Sequence, residues 1–253
     1  MHRSVIESTR EKFLKIVQDN NMGDAGVTVI ARPLTPEEAI GNPERRDFPI
    51  IEGKERVIEA AVFESKGHAY TDSPKQYAGT VKDVYELPMT TNQNRAVYLA
   101  TMNAVLRHLE ISHGTVHCRD EEPEQCAKEM AEYILKEYGK VKVGLIGLNP
   151  AIAEMLVHAG GAENVRITDL NRDNIRSYKF GVEVWDGRGD TEDLVRDSDL
   201  IVITGTTMVN GTFDRILEYI EKYNKNYFVY GVTCAGICSL TGINRVCPYG
   251  HDN

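Results

Sequence analysis

Apolar residues follow two spacings along this chain, and each spacing predicts its own kind of element. Repeats every three to four positions predict amphipathic helices at 4–20, 92–111 and 124–138. Short continuous apolar runs predict strands at 26–31, 56–65, 67–71, 164–168, 182–185, 200–204 and 227–232. The polar, proline-containing segment between the first two strands predicts a loop.

The run VKVGLIGLNP at 141–150 organises the second half of the chain. Its apolar part predicts a strand buried on both faces, and Pro150 opens a helix at 150–159, since proline costs little at the first helical position. Free main-chain N–H groups at this helix start would suit an anion or the polar edge of a ligand. Further helices at 191–196 and 211–223 alternate with strands, which predicts a parallel sheet covered by helices, a Rossmann-like domain.

The segment from Ser112 to Glu124 is polar and separates two kinds of pattern. We place a domain boundary there. Residues 1–120 are predicted to form a smaller α+β domain with an antiparallel sheet, and residues 121–253 the Rossmann-like domain. The predicted fold class is therefore α/β.

Polar residues follow three of the predicted parallel strands, at the ends where such sheets bind ligands. The segment TGTTMVNGT, residues 204–212, is the most specific of them, because turn and N-cap roles account for its Asn-Gly-Thr but not for Thr204, Thr206 and Thr207. The candidate ligand-binding residues from these ends are Gly147, Asn149, Asp169, Thr204, Gly205, Thr206, Asn210, Gly211 and Thr212.

Asp169 follows Gly147 at about the 20-residue spacing of the acid that binds a ribose hydroxyl in dinucleotide-binding domains. The glycine fingerprint of those domains is absent, because Asn149 stands where the second glycine should let a phosphate approach. We therefore do not expect NAD or NADP. For Asp169, a contact to another ribose-bearing ligand and a cap of a structural turn both stay open.

Asn103 lies on the apolar face of the helix at 92–111. An amide there must find hydrogen-bond partners or face a cleft. It is either a satisfied core residue or a ligand contact, and we include it among the candidate ligand-binding residues.

Cysteines and histidines form two groups. The C-terminal pattern C-x3-C-x8-C-x3-H suits zinc or another thiophilic metal, and its candidate ligands are Cys234, Cys238, Cys247 and His251. Its spacing is looser than that of a zinc finger, and single buried cysteines are common, so a structural role is the alternative. The second group, near the boundary, is His113, His117, Cys118 and Cys126.

Charge and composition limit the kinds of partner and the location that we expect for this protein. The formal net charge of −9, without a basic cluster, argues against nucleic acid. No apolar run reaches 18 residues, and the charged N-terminus lacks the apolar core of a signal peptide, so we expect no membrane association. Five cysteines fit reduced thiols in the cytoplasm. A homodimer is the commonest assembly for such chains.

The segments VKVGLIGLNPAIAEML, ITDLNRDNI and DLIVITGTTMVNGTFDRIL resemble the heavy-metal chelation family, a group of proteins of unknown function. The resemblance extends to the helix AVYLATMNAVL and to residues 67–79. It implies a first domain similar to the N-terminal domain of enolase, a Rossmann-like second domain and a site between them. The positions that match are Asn103, Gly147, Thr204, Gly205, Asn210, Gly211 and Thr212.

These observations lead to two main hypotheses. The first is metal handling, in which a transition metal, alone or together with an organic chelator, is bound, delivered or inserted by way of the cleft between the domains. The second is an enzyme or binding protein for a small nucleotide-like or anionic metabolite held at the strand ends. A non-catalytic binding or scaffold protein is a third. Whether any reaction is catalysed stays open, because no general base or nucleophile stands out.

Overall fold

The computed structural model describes residues 4–23, 28–53 and 55–253. These residues form a four-stranded antiparallel sheet and a seven-stranded, mostly parallel sheet, with helices packed on both. The predicted α/β fold class is confirmed. The boundary near residue 120 and the likeness of the first unit to the N-terminal domain of enolase stay predictions.

The first unit is built around the antiparallel sheet, whose strands run in the order β3-β2-β1-β4. Its elements are α1 (Val5–Asp19), β1 (Thr28–Pro33), α2 (Pro36–Ile40), β2 (Arg56–Val62), β3 (Ser65–Thr71), β4 (Tyr77–Thr80), α3 (Val81–Tyr85) and α4 (Asn92–His108). The strand predicted at 26–31 begins at residues 26 and 27, which lie outside the described residues.

Two local predictions for this unit are wrong. The single strand predicted at 56–65 is a hairpin, because Phe63 adopts φ +53° and Val62 pairs with Ser65. The predicted loop contains α2, whose start is fixed by a capping box between Thr35 and Glu38. The hairpin turn has no glycine to mark it, and α2 is too short to show an apolar period, although Gly41 ends it.

The helix α4 lies under the antiparallel sheet and is buried from Ala96 to Leu106. Gly67 in β3 lets the helix approach closely, since a Cβ there would lie 2.2 Å from the carbonyl oxygen of Ala100. The opposite side of α4 contacts helices of the second unit. The two units therefore share apolar packing, and one core cluster continues from this helix to Ile146 and Ile203 of the parallel sheet.

The second unit alternates strands and helices as predicted. Its elements are α5 (Glu122–Tyr138), β5 (Val143–Ile146), α6 (Pro150–Gly160), β6 (Val165–Asp169), β7 (Tyr178–Lys179), β8 (Val182–Asp186), α7 (Thr191–Asp197), β9 (Leu200–Thr204), α8 (Thr206–Asn210), α9 (Phe213–Tyr223), β10 (Asn226–Tyr230), α10 (Ala235–Thr241) and β11 (Arg245–Val246). The short elements β7, α8, α10 and β11 were not predicted.

The strand order of this sheet is β11-β10-β9-β5-β6-β8-β7, and all neighbours are parallel except β7 and β8. If β7 is left out and the strands β5, β6, β8, β9, β10 and β11 are numbered 1 to 6, the order read from β8 is 3-2-1-4-5-6. This is the strand order of the Rossmann fold. The direction of winding reverses between β5 and β9. A crevice therefore opens at the carboxyl ends of these two strands.

No helix in the described ranges is both long enough and apolar enough to cross a membrane.

Candidate functional site

A cleft of about 940 Å³ lies at the carboxyl ends of the parallel strands. One wall consists of residues that follow β5, β6, β9 and β10. The other wall comes from the first unit and includes Phe48, Ile50, Glu55, Tyr70 and Asp72. Clefts of this size, apolar with a few convergent polar groups, are typical sites for small molecules.

The turn between β5 and α6 forms one edge of the cleft. Gly147 has φ +87°, and a Cβ at this position would lie 2.4 Å from Cγ2 of Thr204, so both the backbone conformation and the space require glycine. Asn149 caps α6, its side chain accepting a hydrogen bond from the N–H of Ile152 at 3.2 Å. The protein's own cap thus occupies this helix start, where the sequence predicted free N–H groups.

Asp169, at the end of β6, is tied to its neighbouring turns. Its carboxylate accepts hydrogen bonds from the N–H of Leu148 at 3.0 Å and of Asn171 at 2.7 Å, and from the Asn174 amide at 3.3 Å. It lines the cleft at the same time. This geometry favours the cap of a structural turn over a carboxylate free to grip a ribose.

The segment 204–212 presents hydroxyl groups to the cleft from the short helix α8. Thr204 and Thr206 lie with their hydroxyl oxygens 3.2 Å apart, and the Thr207 hydroxyl donates to the Thr204 carbonyl at 2.7 Å. The Asn210 side chain accepts from the Thr212 hydroxyl at 2.7 Å. Thr204 and Thr206 are half-buried, so their hydroxyls remain within reach of a ligand.

Asn103 does not line the cleft. Its amide nitrogen donates to the carbonyl oxygens of His68 at 2.9 Å and Val232 at 3.0 Å, and its oxygen accepts from the N–H of Gly236 at 2.8 Å. The residue is 0% exposed. It joins α4 to both units and has no donor left for a ligand. Of the two alternatives that the sequence left open for Asn103, the structure therefore favours the satisfied core residue.

The four predicted metal ligands do not converge. Cys234 and Cys238 are buried at the start of α10, and the Cys234 thiol donates to the Gly231 carbonyl at 3.3 Å. His251 lies 2.7 Å from a carboxylate oxygen of Glu122. Of the four, only Cys247 lines the cleft. Among the described residues, no group of three or more His, Cys, Asp or Glu side chains is arranged to hold a metal ion.

A wall of thiols and an imidazole forms where the second cysteine and histidine group meets Cys247. His117, Cys118, Cys126 and Cys247 all line the cleft. Burial, with a smaller contribution from Cys247, raises the pKa of the Cys126 thiol to about 12, and burial raises the pKa of the Cys118 thiol even more. Burial, together with His68, lowers the pKa of His117 to about 4. At neutral pH these groups are therefore uncharged.

Sequence reasoning missed the wall that the first unit contributes. Glu55 precedes β2 and Tyr70 lies in β3, far from the glycine-rich turns in sequence. Burial, together with the nearby carboxylates of Asp169 and Asp72, raises the pKa of Glu55 to about 7. No motif marks either residue. Only the packing of one sheet against the other brings them to the strand ends.

Most of the predicted ligand-binding residues lie together at the cleft. Those that line it are Gly147, Asn149, Asp169, Thr204, Gly205, Thr206, Asn210 and Thr212. Asn103 and Gly211 lie outside its lining. The grouping follows from the parallel strands, whose carboxyl ends share one edge of the sheet.

The fold and the cleft define a two-sheet α/β protein with a Rossmann-like sheet. Residues 129–240 match the model of the DUF364 family, described as "Putative heavy-metal chelation". This match begins within α5, covers the strands β5 to β10 but not β11, and confirms the resemblance seen in the sequence motifs.

Two solved structures from this family are similar to the chain. A protein of unknown function from Pyrococcus horikoshii is 12% identical, with a TM-score of 0.50 over 90% of this chain and 78% of that one. Another, from Desulfitobacterium hafniense, is 14% identical, with a TM-score of 0.49 over 74% of this chain and 72% of that one. The first likeness supports the shared fold alone. The chain matches no curated protein.

Proposed function

We propose that the protein binds a small molecule in the cleft, and that this molecule is an organic chelator carrying a transition metal. The observation that carries the proposal is the position of the cleft. It lies where the strand order reverses, between β5 and β9, and both units contribute to its walls. Open α/β sheets bind their ligands at this point.

The metal is supported by the chemistry of the lining and by the description of the matching family. Cys118, Cys126, Cys247 and His117 offer the sulfur and nitrogen atoms that thiophilic metals prefer. Because burial raises the pKa of these thiols, a metal that binds them releases protons.

The organic chelator is supported by two further features. No three described His, Cys, Asp or Glu side chains are arranged to hold a metal on their own, so the chelator would supply the remaining ligands. The cleft also offers polar contacts for such a molecule. These are the hydroxyls of Thr204 and Thr206 and the exposed arginines Arg172, Arg188 and Arg215, which suit anionic groups.

Equilibrium dialysis tests the proposal. The protein is dialysed against nickel with L-histidine or citrate as chelator, and against nickel alone, and bound metal is measured by elemental analysis. Thr206→Trp places a large ring in the cleft, whereas Thr90→Trp changes an exposed residue outside it. We expect the parent and Thr90→Trp to retain chelated nickel, and Thr206→Trp to bind it at least about tenfold more weakly. Equal retention by both variants, or none by the parent, contradicts the proposal.

A nucleotide-like ligand is the second candidate, favoured by the 3-2-1-4-5-6 strand order. The hydrogen bonds that Asp169 already makes weigh against it. A thermal-shift series with AMP and NAD separates the two, because a ligand of the folded state raises the melting temperature. A shift with AMP that Asp169→Asn abolishes would favour this second candidate.

A further inference from the structure

The carboxylate of Glu55 lines the cleft without a hydrogen-bond or ion-pair partner among the described residues. Two successive turns at residues 48–53 lead the chain to this position, and the Glu55 N–H donates to the Pro49 carbonyl at 3.4 Å. The Tyr70 hydroxyl, from β3, also has no hydrogen bond to any described residue. Both polar groups are thus available to a ligand.

The groups that shift the pKa of the Glu55 carboxyl are acidic, although the Arg56 guanidinium lies nearby and donates a hydrogen bond to the Glu55 main-chain carbonyl at 3.0 Å. Asp169 at the end of β6 and Asp72 after β3 act on it, and both raise its pKa in addition to burial. The other facing groups are the phenols of Tyr70 and Tyr230, whose pKa values burial raises. Among the described residues, the arginines that line the cleft are exposed, and none of them shifts the pKa of Glu55.

A second, independent feature lies beside the same carboxylates. Thr168 precedes Asp169 in β6, lines the cleft and is 0% exposed, yet its hydroxyl has no hydrogen-bond partner in the part of the chain that the structure describes. Nδ1 of His117 is likewise buried without a partner in the cleft lining. Buried polar groups nearly always have partners, so unpartnered ones around a cavity indicate a place for a ligand.

We propose that Glu55, with Asp169 beside it, receives a positively charged nitrogen group of the ligand, such as an ammonium. A carboxylate in a half-buried site without a counter-ion is costly, and a cation from the ligand removes that cost. An ammonium needs only acceptors around it, which the carboxylates, the phenols and Thr168 supply. A bare metal ion fits less well, because the carboxylates are not arranged as a ligand set.

This inference rests on the proposed function, since it places an amine-bearing molecule in the same cleft. It adds that the ligand carries an amine and that ligand binding is coupled to the release of a proton. Glu55 holds a proton in part of the molecules near neutral pH, and cation uptake displaces it.

Calorimetric titration with putrescine, a diammonium compound, tests the inference, with butane-1,4-diol as the uncharged counterpart. The parent, Glu55→Gln and the control Glu64→Gln, an exposed residue in the β2–β3 turn, are compared at pH 8 and pH 6. We expect the parent and the control to bind putrescine but not the diol. Their affinity should fall about tenfold from pH 8 to pH 6, as the Glu55 carboxylate becomes protonated. In Glu55→Gln the affinity at pH 8 should be at least about tenfold lower and should not vary with pH.

Equal affinities of the parent and Glu55→Gln would overturn the inference, as would the absence of saturable putrescine binding to the parent at pH 8. Circular dichroism of each variant verifies that it is folded. The nickel dialysis distinguishes a failure of the ammonium site from a failure of the proposed chelate binding. If chelated nickel is retained in the cleft but putrescine is not, only the ammonium site fails.

Discussion

Two carboxylates of the cleft show how position decides the use of the same chemical group. Asp169 accepts hydrogen bonds from two main-chain N–H groups, so it holds the turns after β5 and β6 in place. Glu55 has no partner among the described residues, and burial raises its pKa to about 7. The first residue contributes to the fold, whereas the second reduces its stability, as expected of a residue kept for binding.

Glu55→Gln should therefore stabilise the folded protein at pH 8. The pKa of this carboxyl rises on folding from 4.5 to about 7, so the folded state binds the extra proton, and the parent loses stability as the pH rises through that window. After allowance for solvent screening, we expect a gain of about 1–2 kcal/mol at pH 8 and almost none at pH 4. Urea unfolding at the two pH values measures it. A variant less stable than the parent at pH 8 would contradict this account of Glu55.

Asp169→Ala should have the opposite effect. It leaves the N–H groups of Leu148 and Asn171 without their acceptor, at about 1–3 kcal/mol for each unpaired group. We expect a loss of about 2–4 kcal/mol in the free energy of unfolding, and Asp169→Asn should recover part of it. If Asp169→Ala unfolds at the same urea concentration as the parent, the carboxylate is not the cap of these turns.

The sequence predicted which residues are chemically unusual better than it predicted their roles. Asn103 stood out as an amide on an apolar face, but its partners are main-chain groups far away in sequence. The C-terminal cysteines stood out by their spacing, but α10 buries two of them while Cys247 turns to the cleft. Spacing along a chain does not fix distances across a turn.

At the scale of elements, the helix α4 connects the two sheets. It packs against β2 and β3 on one side and against α8 and α10 on the other. Its sequence is apolar on most sides, as expected for a helix buried all round. The close approach at Gly67 sets the distance between this helix and the antiparallel sheet.

Gly67→Ala should move α4 and destabilise the protein. The added Cβ would lie 2.2 Å from the Ala100 carbonyl oxygen and 2.4 Å from the Ala104 nitrogen, both main-chain atoms that cannot rotate away. Overpacking of this kind costs about 1–3 kcal/mol. Gly160→Ala is the matched control, because the nearest atom there is 4.0 Å away. Thermal unfolding of the two variants should give a lower melting temperature for Gly67→Ala alone.

The long helices could be predicted from sequence, whereas of the short helices α2, α7, α8 and α10 only α7 was predicted. The helices α1, α4 and α5 each span several turns, so their apolar period is clear. The helices α2, α8 and α10 span two turns or fewer, and capping and packing define them more than any period does. The hairpin after β2 was missed because a phenylalanine, Phe63, takes the positive φ that usually marks glycine or asparagine.

At the scale of the whole molecule, the cleft exists because the first unit packs over the carboxyl edge of the parallel sheet. The sequence located the sheet's half of this cleft, since strand ends are readable from turns and polar loops. It could not locate Glu55, Tyr70 or the convergence of Cys118, Cys126 and Cys247, which arises from segments distant in sequence. The proposed chelate and the proposed ammonium site both depend on this shared wall.

The most direct measurement is a crystal structure of the protein grown with nickel and L-histidine, with anomalous scattering recorded at the nickel edge. We expect one nickel peak inside the cleft, between the strand ends at Gly147 and Thr204 and the wall that holds Cys118, Cys247 and Glu55. A peak elsewhere on the molecule, or a cleft without nickel at saturating concentration, would show that this cleft does not hold a metal chelate.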